Sequence, residues 1–209
     1  MATTLLLGGT FDPPHRVHLA LAERALAHTG ADRLLLIPAA RSPFKLDHAQ
    51  SDAHHRVAMA RLAVDSLPPT LRNRINLCTL EVDRDPAADE PSYTIDTVDA
   101  LRAADPDAAF RLLLGTDQLL SFHLWHDAER LARLAPPLVL VRPPDTAATV
   151  RAHLAAEAPA WLRDVELLPV PPEDVSSTAI RTDAAAGRTI IDRVPPAVAA
   201  YIESHQLYS

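Results

Sequence analysis

The chain has 209 residues, with 20 Lys or Arg against 27 Asp or Glu, a formal charge of −7 and a single cysteine. That length buries a substantial core without disulfide staples, and the acidic balance argues against a broad nucleic-acid surface while leaving room for one local basic pocket. One cysteine forms no disulfide within the chain, which suits a reducing compartment, and Cys78 in the run INLCTL reads as a small buried hydrophobe.

In chain order, TTLLL (Thr3–Leu7) comes first, a short aliphatic run that lacks the length and the basic start of a secretory leader. It reads as a strand, as do Asp32–Pro38, Arg74–Leu80, Ala109–Gly115 and Pro137–Arg142. Most of these are nearly continuous in apolar residues, the character of strands buried on both faces of a parallel sheet. Val165–Val170 is a sixth candidate, moved toward a sheet edge by Pro169. Helical patterns lie between them. Residues 17–30 place Leu19, Ala22, Leu26 and Ala27 on one stripe and end at Gly30, which suits a left-handed cap. Residues 51–67 start with Ser51 or Asp52 as N-cap, and residues 92–104 space Ile95, Val98 and Leu101 three apart behind Ser92 or Thr94. Further patterns cover 127–135, 146–158, 178–187 and 195–208, the last opening on prolines suited to a first turn.

Alternating strands and helices imply right-handed crossovers. The prediction is an α/β fold: a Rossmann-like, doubly wound parallel sheet with helices on both faces and a small helical C-terminal part. Residues 1–209 read as a single domain, without repeat or linker. No apolar run approaches the roughly 20 residues that span a bilayer. The expectation is a soluble cytoplasmic protein with no membrane or nucleic-acid partner, and association into a homo-oligomer stays open.

The most informative stretch is GGTFDPPHRVH, Gly8 to His18, between the first strand and the first helix. In an open α/β sheet such loops gather at the carboxyl ends of strands, where ligands bind. Gly8 and Gly9 let a ligand approach the backbone, and the helix behind them turns its N-terminal N–H groups toward phosphate. His15 and His18, about one turn apart, can face one ligand. The dinucleotide pattern G-x-G-x-x-G and the P-loop pattern are both absent. A metal site is the alternative, although no cysteine cluster or H-E-x-x-H pattern accompanies the pair; an incidental loop is the other. His123 and His126 repeat the spacing in SFHLWH without a glycine-rich entry, a weaker signal.

GGTFDPPHRVH resembles the G-G-[TS]-F-[DN]-P-x-H-x-G-H signature of the nucleotidylyltransferase superfamily, particularly the bacterial nicotinate-nucleotide adenylyltransferases. PSYTIDT (Pro91–Thr97), GTDQLLSFHLW (Gly115–Trp125), SSTAIR (Ser176–Arg181) and VPPAVAAYIESHQLY (Val194–Tyr208) are similar to that family in order and spacing. The chain departs at Val17, where the family usually has Gly, and at Phe44, where it often has His before the lysine. Val17 either narrows a triphosphate site or points into the core.

The resemblance implies an adenylyltransferase that joins nicotinate mononucleotide to ATP, giving nicotinate adenine dinucleotide and pyrophosphate, with Mg²⁺ accompanying ATP. It implies that Gly8, Gly9, Thr10, Phe11, His15 and His18 bind ATP from one side and Ser176, Thr178 and Arg181 from the other. His18, His15 and Arg181 would be the catalytic groups, His18 foremost. On the acceptor side it implies Trp125 stacked on the pyridine ring, Tyr93 and Thr94 at its carboxylate, and Asp117 at ribose hydroxyls. Lys45 and Arg142 would be phosphate or carboxylate partners. Taken alone, SSTAIR also reads as a helix cap, Trp125 as core and Asp117 as a cap of the next helix. The runner-up is a related transferase whose acceptor is nicotinamide mononucleotide or phosphopantetheine. A non-catalytic nucleotide-binding module is the third reading, with Val17 its one hint.

Overall fold

A computed structural model describes residues 2–40, 50–84, 92–172 and 175–209. The elements run β1 (Thr3–Gly9), α1 (Arg16–Thr29), β2 (Arg33–Pro38), α2 (Ala53–Asp65), α3 (Pro69–Arg72), β3 (Ile75–Leu77) and α4 (Thr94–Ala104). They continue with β4 (Ala109–Gly115), α5 (Thr116–Ser121), α6 (Ala128–Leu134), β5 (Pro137–Val141), α7 (Ala147–Glu157), β6 (Glu166–Pro169), α8 (Ser177–Ala185) and α9 (Pro196–Ser204). The strands form a six-stranded sheet in the order β3-β2-β1-β4-β5-β6. Pairing is parallel in β1–β4 (Thr3 opposite Ala109), β2–β3 (Leu34 opposite Ile75), β4–β5 (Leu112 opposite Pro137) and β5–β6 (Leu138 opposite Glu166). This is the Rossmann-like order, with crossover helices between the strands. Among the described residues no helix is long and apolar enough to cross a membrane.

The chain divides into two compact units, each built from three segments. The first comprises Met1–Leu7, Ala25–Arg33 and Tyr93–Glu173; the second comprises Gly8–Arg24, Leu34–Ser92 and Asp174–Ser209. In the first, β5 is buried along its whole length, and Leu5, Leu6 and Leu112–Leu114 are almost wholly removed from water. Glu166 on β6 accepts from His28 at 2.7 Å and pairs with Arg111 at 2.8 Å, and these partners hold its carboxyl below the usual range, His28 most. In the second unit, Leu19, Met59, Ala63, Ile180, Val194, Val198 and Ile202 form one apolar cluster that packs α2, α8 and α9 together.

Several local expectations are corrected. Ala27 is exposed and Ala25 is buried in its place, because the buried stripe of α1 runs through Ala22, Ala25 and Leu26. The third strand shrinks to Ile75–Leu77. The residue before α4 is Tyr93 rather than Ser92 or Thr94, and no side chain caps that end. Cys78 is only half-buried, yet burial still pushes its thiol pKa up. Pro169 does close an edge strand, as its missing N–H requires. Gly30 takes φ 67°, the left-handed turn that ends α1.

Candidate active site

In the second unit the Gly8–His18 segment leaves β1 and enters α1. A methyl group placed on Gly8 would meet nothing within 4 Å, whereas one on Gly9 would lie 3.0–3.3 Å from the Phe11 ring. The bare backbone at Gly9 therefore makes room for the Phe11 ring. Phe11 is buried with φ 51°, a left-handed conformation that costs a side chain roughly 1–2 kcal/mol. Its ring meets His18 edge-on, with centroids 5.1 Å apart, and His18 stacks on His15 at 3.7 Å and 24°.

The His15 N–H donates to His18 Nδ1 at 3.2 Å. A neutral His18 then carries its proton on Nε2, which makes that nitrogen a donor suited to a phosphate oxygen. His15 is buried and His18 half-buried. Val17, between them, is 4% exposed and belongs to the interior, which settles its direction in favour of the core.

Helix α8 begins against the same loop. The Ser176 hydroxyl accepts the Ala179 N–H at 3.2 Å, so Ser176 does cap the helix, and the Ser177 hydroxyl donates to the Pro13 carbonyl at 2.9 Å. Arg181 donates from Nη1 to the Asp12 carbonyl at 2.8 Å and from Nη2 to Thr178 Oγ1 at 3.3 Å. The stacked histidines and the Ser176–Arg181 segment, far apart in sequence, thus share one loop. Cationic, hydroxyl and N–H donors gathered this way can bind polyphosphate.

Two supports beneath this loop escape the sequence reading. Arg56 is 2% exposed and donates to four carbonyls: Ser51 (3.0 Å), Thr10 (3.0 Å), Ala39 (2.6 Å) and Ala40 (3.0 Å). Burial pushes its pKa down, against the pull of Asp12 and other nearby anionic groups. Asp12, also buried, accepts the Tyr208 hydroxyl on Oδ1 at 2.6 Å and the Ser51 N–H on Oδ2 at 3.1 Å. In sequence Arg56 looks like any helical arginine. Asp12 and Tyr208 sit inside quoted motifs, but nothing local says that they touch.

The residues expected on the acceptor side, apart from Lys45, lie in the first unit. Thr94 is the half-buried first residue of α4 and Tyr93 precedes it. The Tyr93 ring stacks on His126 at 4.4 Å and 29°, so the histidine judged weaker from its spacing has a ring partner. Trp125 is half-buried and tilted against Phe122, with centroids 5.1 Å apart. Asp117 is the exposed second residue of α5, not its cap. Its carboxylate folds over Gly115, where a methyl group would lie 2.7 Å from Oδ1. The Gly115 N–H instead donates to Gln118 Oε1 at 3.0 Å. Arg142 stands 3.8 Å from Asp117. Lys45 and Phe44 fall outside the described residues.

A family model for cytidylyltransferase-like proteins matches residues 6–183. A probable nicotinate-nucleotide adenylyltransferase of Symbiobacterium thermophilum is 38% identical over 208 residues, covering 100% of this chain and 96% of the relative. One from Gemmatimonas aurantiaca is 40% identical over 204 residues, covering 97% of this chain and 90% of the relative. Among solved structures, the Plasmodium falciparum nicotinic acid mononucleotide adenylyltransferase complexed with NaAD superposes with a TM-score of 0.77 at 17% identity, covering 100% of this chain and 98% of that one. At that identity the likeness speaks for the fold alone.

Proposed function

The chain belongs to the cytidylyltransferase-like family, and from that premise we propose that it is a nicotinate-nucleotide adenylyltransferase of NAD biosynthesis. It joins nicotinate mononucleotide to ATP, giving nicotinate adenine dinucleotide and pyrophosphate, and residues 1–209 act as one catalytic domain in the cytoplasm. The observation that carries this reading is the stacked His15–His18 pair on a loop that Arg181 and Ser177 bind from the start of α8.

In the reaction a phosphate oxygen of the mononucleotide attacks the α-phosphorus of ATP in line, and the bond to the departing pyrophosphate breaks. The attacking oxygen is already ionised near neutrality, so catalysis comes from positioning and charge neutralisation, with no covalent intermediate on the protein. His18 donates from Nε2 to a phosphate oxygen, His15 holds that ring in place, and Arg181 adds fixed positive charge. Ser176 and Thr178 supply hydroxyls to the phosphates, and Gly8, Gly9, Thr10 and Phe11 shape the loop around the nucleotide. For the acceptor, Trp125 supplies a stacking face, Tyr93 and Thr94 receive the pyridine carboxylate, and Asp117 takes the ribose hydroxyls. Arg142 and Lys45 serve its anionic groups. Mg²⁺ accompanies the triphosphate as part of the substrate and neutralises the charge of the departing pyrophosphate.

The test is a steady-state assay with ATP, Mg²⁺ and either nicotinate or nicotinamide mononucleotide. The expected result is pyrophosphate and dinucleotide in equal amounts, with the higher kcat/KM for the acid. A higher value for the amide would reassign the acceptor. ATP binding with no pyrophosphate from either acceptor would overturn the enzyme assignment.

A further inference from the structure

Helix α9 ends in a turn that its residue types disfavour. The Gln206 N–H bonds the Glu203 carbonyl at 3.1 Å and the Leu207 N–H bonds the Ile202 carbonyl at 3.0 Å, the paired pattern in which a helix reverses through a left-handed residue. Glycine usually takes that place. Here Gln206 takes it with φ 50°, and Tyr208, two residues on, has φ 70°. Non-glycine residues persist in that region where their surroundings over-determine them. Leu207 and Tyr208 do pack on the cluster around Leu19, Met59 and Val198. That packing accounts for the ring of Tyr208 but not for its hydroxyl.

The hydroxyl donates to the buried Asp12 carboxylate at 2.6 Å. Burial first, and the hydrogen bond to Asp12 next, raise the phenol pKa well above its ordinary value, so it remains a donor. Asp12 is held from three directions: Tyr208 on Oδ1, the Ser51 N–H on Oδ2, and Arg181 Nη1 on its main-chain carbonyl at 2.8 Å. The guanidinium that reaches the carbonyl of Asp12 therefore belongs to a residue given a phosphate-binding role above. A buried carboxylate that loses one donor draws on the cations beside it, because its desolvation is otherwise uncompensated. Arg56, under the pull of Asp12, is committed to four carbonyls, whereas Arg181 is the guanidinium already bonded to the Asp12 main chain.

We propose that Tyr208 is a positioning residue for the phosphate-handling loop: its hydroxyl satisfies the Asp12 carboxylate and so leaves the Arg181 guanidinium for the ligand. The inference rests on the ATP-binding role assigned to Arg181, and not on the identity of the acceptor.

Calorimetric titration with Mg-ATP alone tests it, on the wild type, Tyr208→Phe, Tyr201→Phe and the double variant Tyr208→Phe/Asp12→Asn. Tyr201→Phe removes a hydroxyl from α9 itself, one that bonds His55 Nδ1 at 2.9 Å, and serves as the control. Tyr208→Phe is expected to weaken ATP about tenfold, the size of one lost hydrogen bond to a charged group. Tyr201→Phe is expected to match the wild type. Asp12→Asn removes the charge that competes for Arg181, so the double variant is expected to recover most of the lost affinity. Equal ATP affinity in the two single variants would overturn the proposal, as would a double variant no better than Tyr208→Phe. Loss of binding stoichiometry at unchanged Kd would also overturn it, since it reports loss of folded protein rather than misplacement of Arg181. If the wild type bound no ATP, both this inference and the assigned function would fall. ATP binding without turnover on nicotinate mononucleotide would remove only the function.

Discussion

With Nδ1 accepting the His15 N–H, His18 presents its ring proton from Nε2. In the proposed mechanism, replacing it by alanine removes a donor aimed at developing charge, and with it the acceptor of the His15 N–H. We expect His18→Ala to lower kcat by about 10²–10³ in a protein that still folds; near-normal turnover in the folded variant would remove His18 from the mechanism. Val17 makes the opposite case. Its side chain is buried, so Val17→Gly empties core volume and loosens a helix residue, at a cost on the order of 1–3 kcal/mol. Denaturant unfolding should show that loss while kcat/KM for ATP stays the same; a gain in kcat/KM would mean that valine narrows the nucleotide site. At this scale the two histidines were legible because their chemistry is local, a ring spacing of one helical turn. Arg56 and Tyr208 were not, because their partners are distant in sequence or main-chain carbonyls, which leave no mark on residue types.

Among the elements, α8 does two things at once. Its N-terminal half meets the opening loop through Ser177 and Arg181, and its last turn is tied to the segment leading into α9. Asp183 accepts from Arg188, then pairs with Arg193 at 2.6 Å, and the two guanidinium groups hold its carboxyl below the usual range, Arg188 contributing most. A lowered folded-state pKa stabilises the fold above the unfolded carboxylate range, and the benefit is lost as pH falls through the folded value. Asp183→Asn is therefore expected to lower the thermal midpoint at neutral pH, with the gap to wild type closing below about pH 4. A gap of equal size at both ends would remove the ion pairs as its cause. The helix caps show what local sequence can miss. Thr146 caps α7 and Ser176 caps α8 as their residue types suggest, whereas the start of α4 uses no side-chain cap. In the proposed function that end receives the pyridine carboxylate, a role no capping rule anticipates.

For the whole molecule, the assigned function makes folding stability depend on nucleotide. A ligand that binds only the folded state adds about 2.7 kcal/mol at a hundred times its Kd. Mg-ATP should raise the thermal midpoint in step with its concentration, and a midpoint indifferent to Mg-ATP would contradict an ATP site. What the sequence by itself determined is the sheet and its contents. Aliphatic runs such as Leu112–Leu114 and Leu138–Val141 read as strands buried on both faces, and the histidine spacing singled out the loop between β1 and α1, where the two rings stack, because periodicity and ring spacing act over a few residues. Only the tertiary structure decided that Gly9 serves Phe11, that Val17 faces the core, and that Asp12 is the meeting point of Ser51, Arg181 and Tyr208. The reason is physical. Burying a carboxylate or a guanidinium is tolerated only where several separate chain segments deliver partners to it, and that delivery is a property of the folded chain, not of any stretch of it.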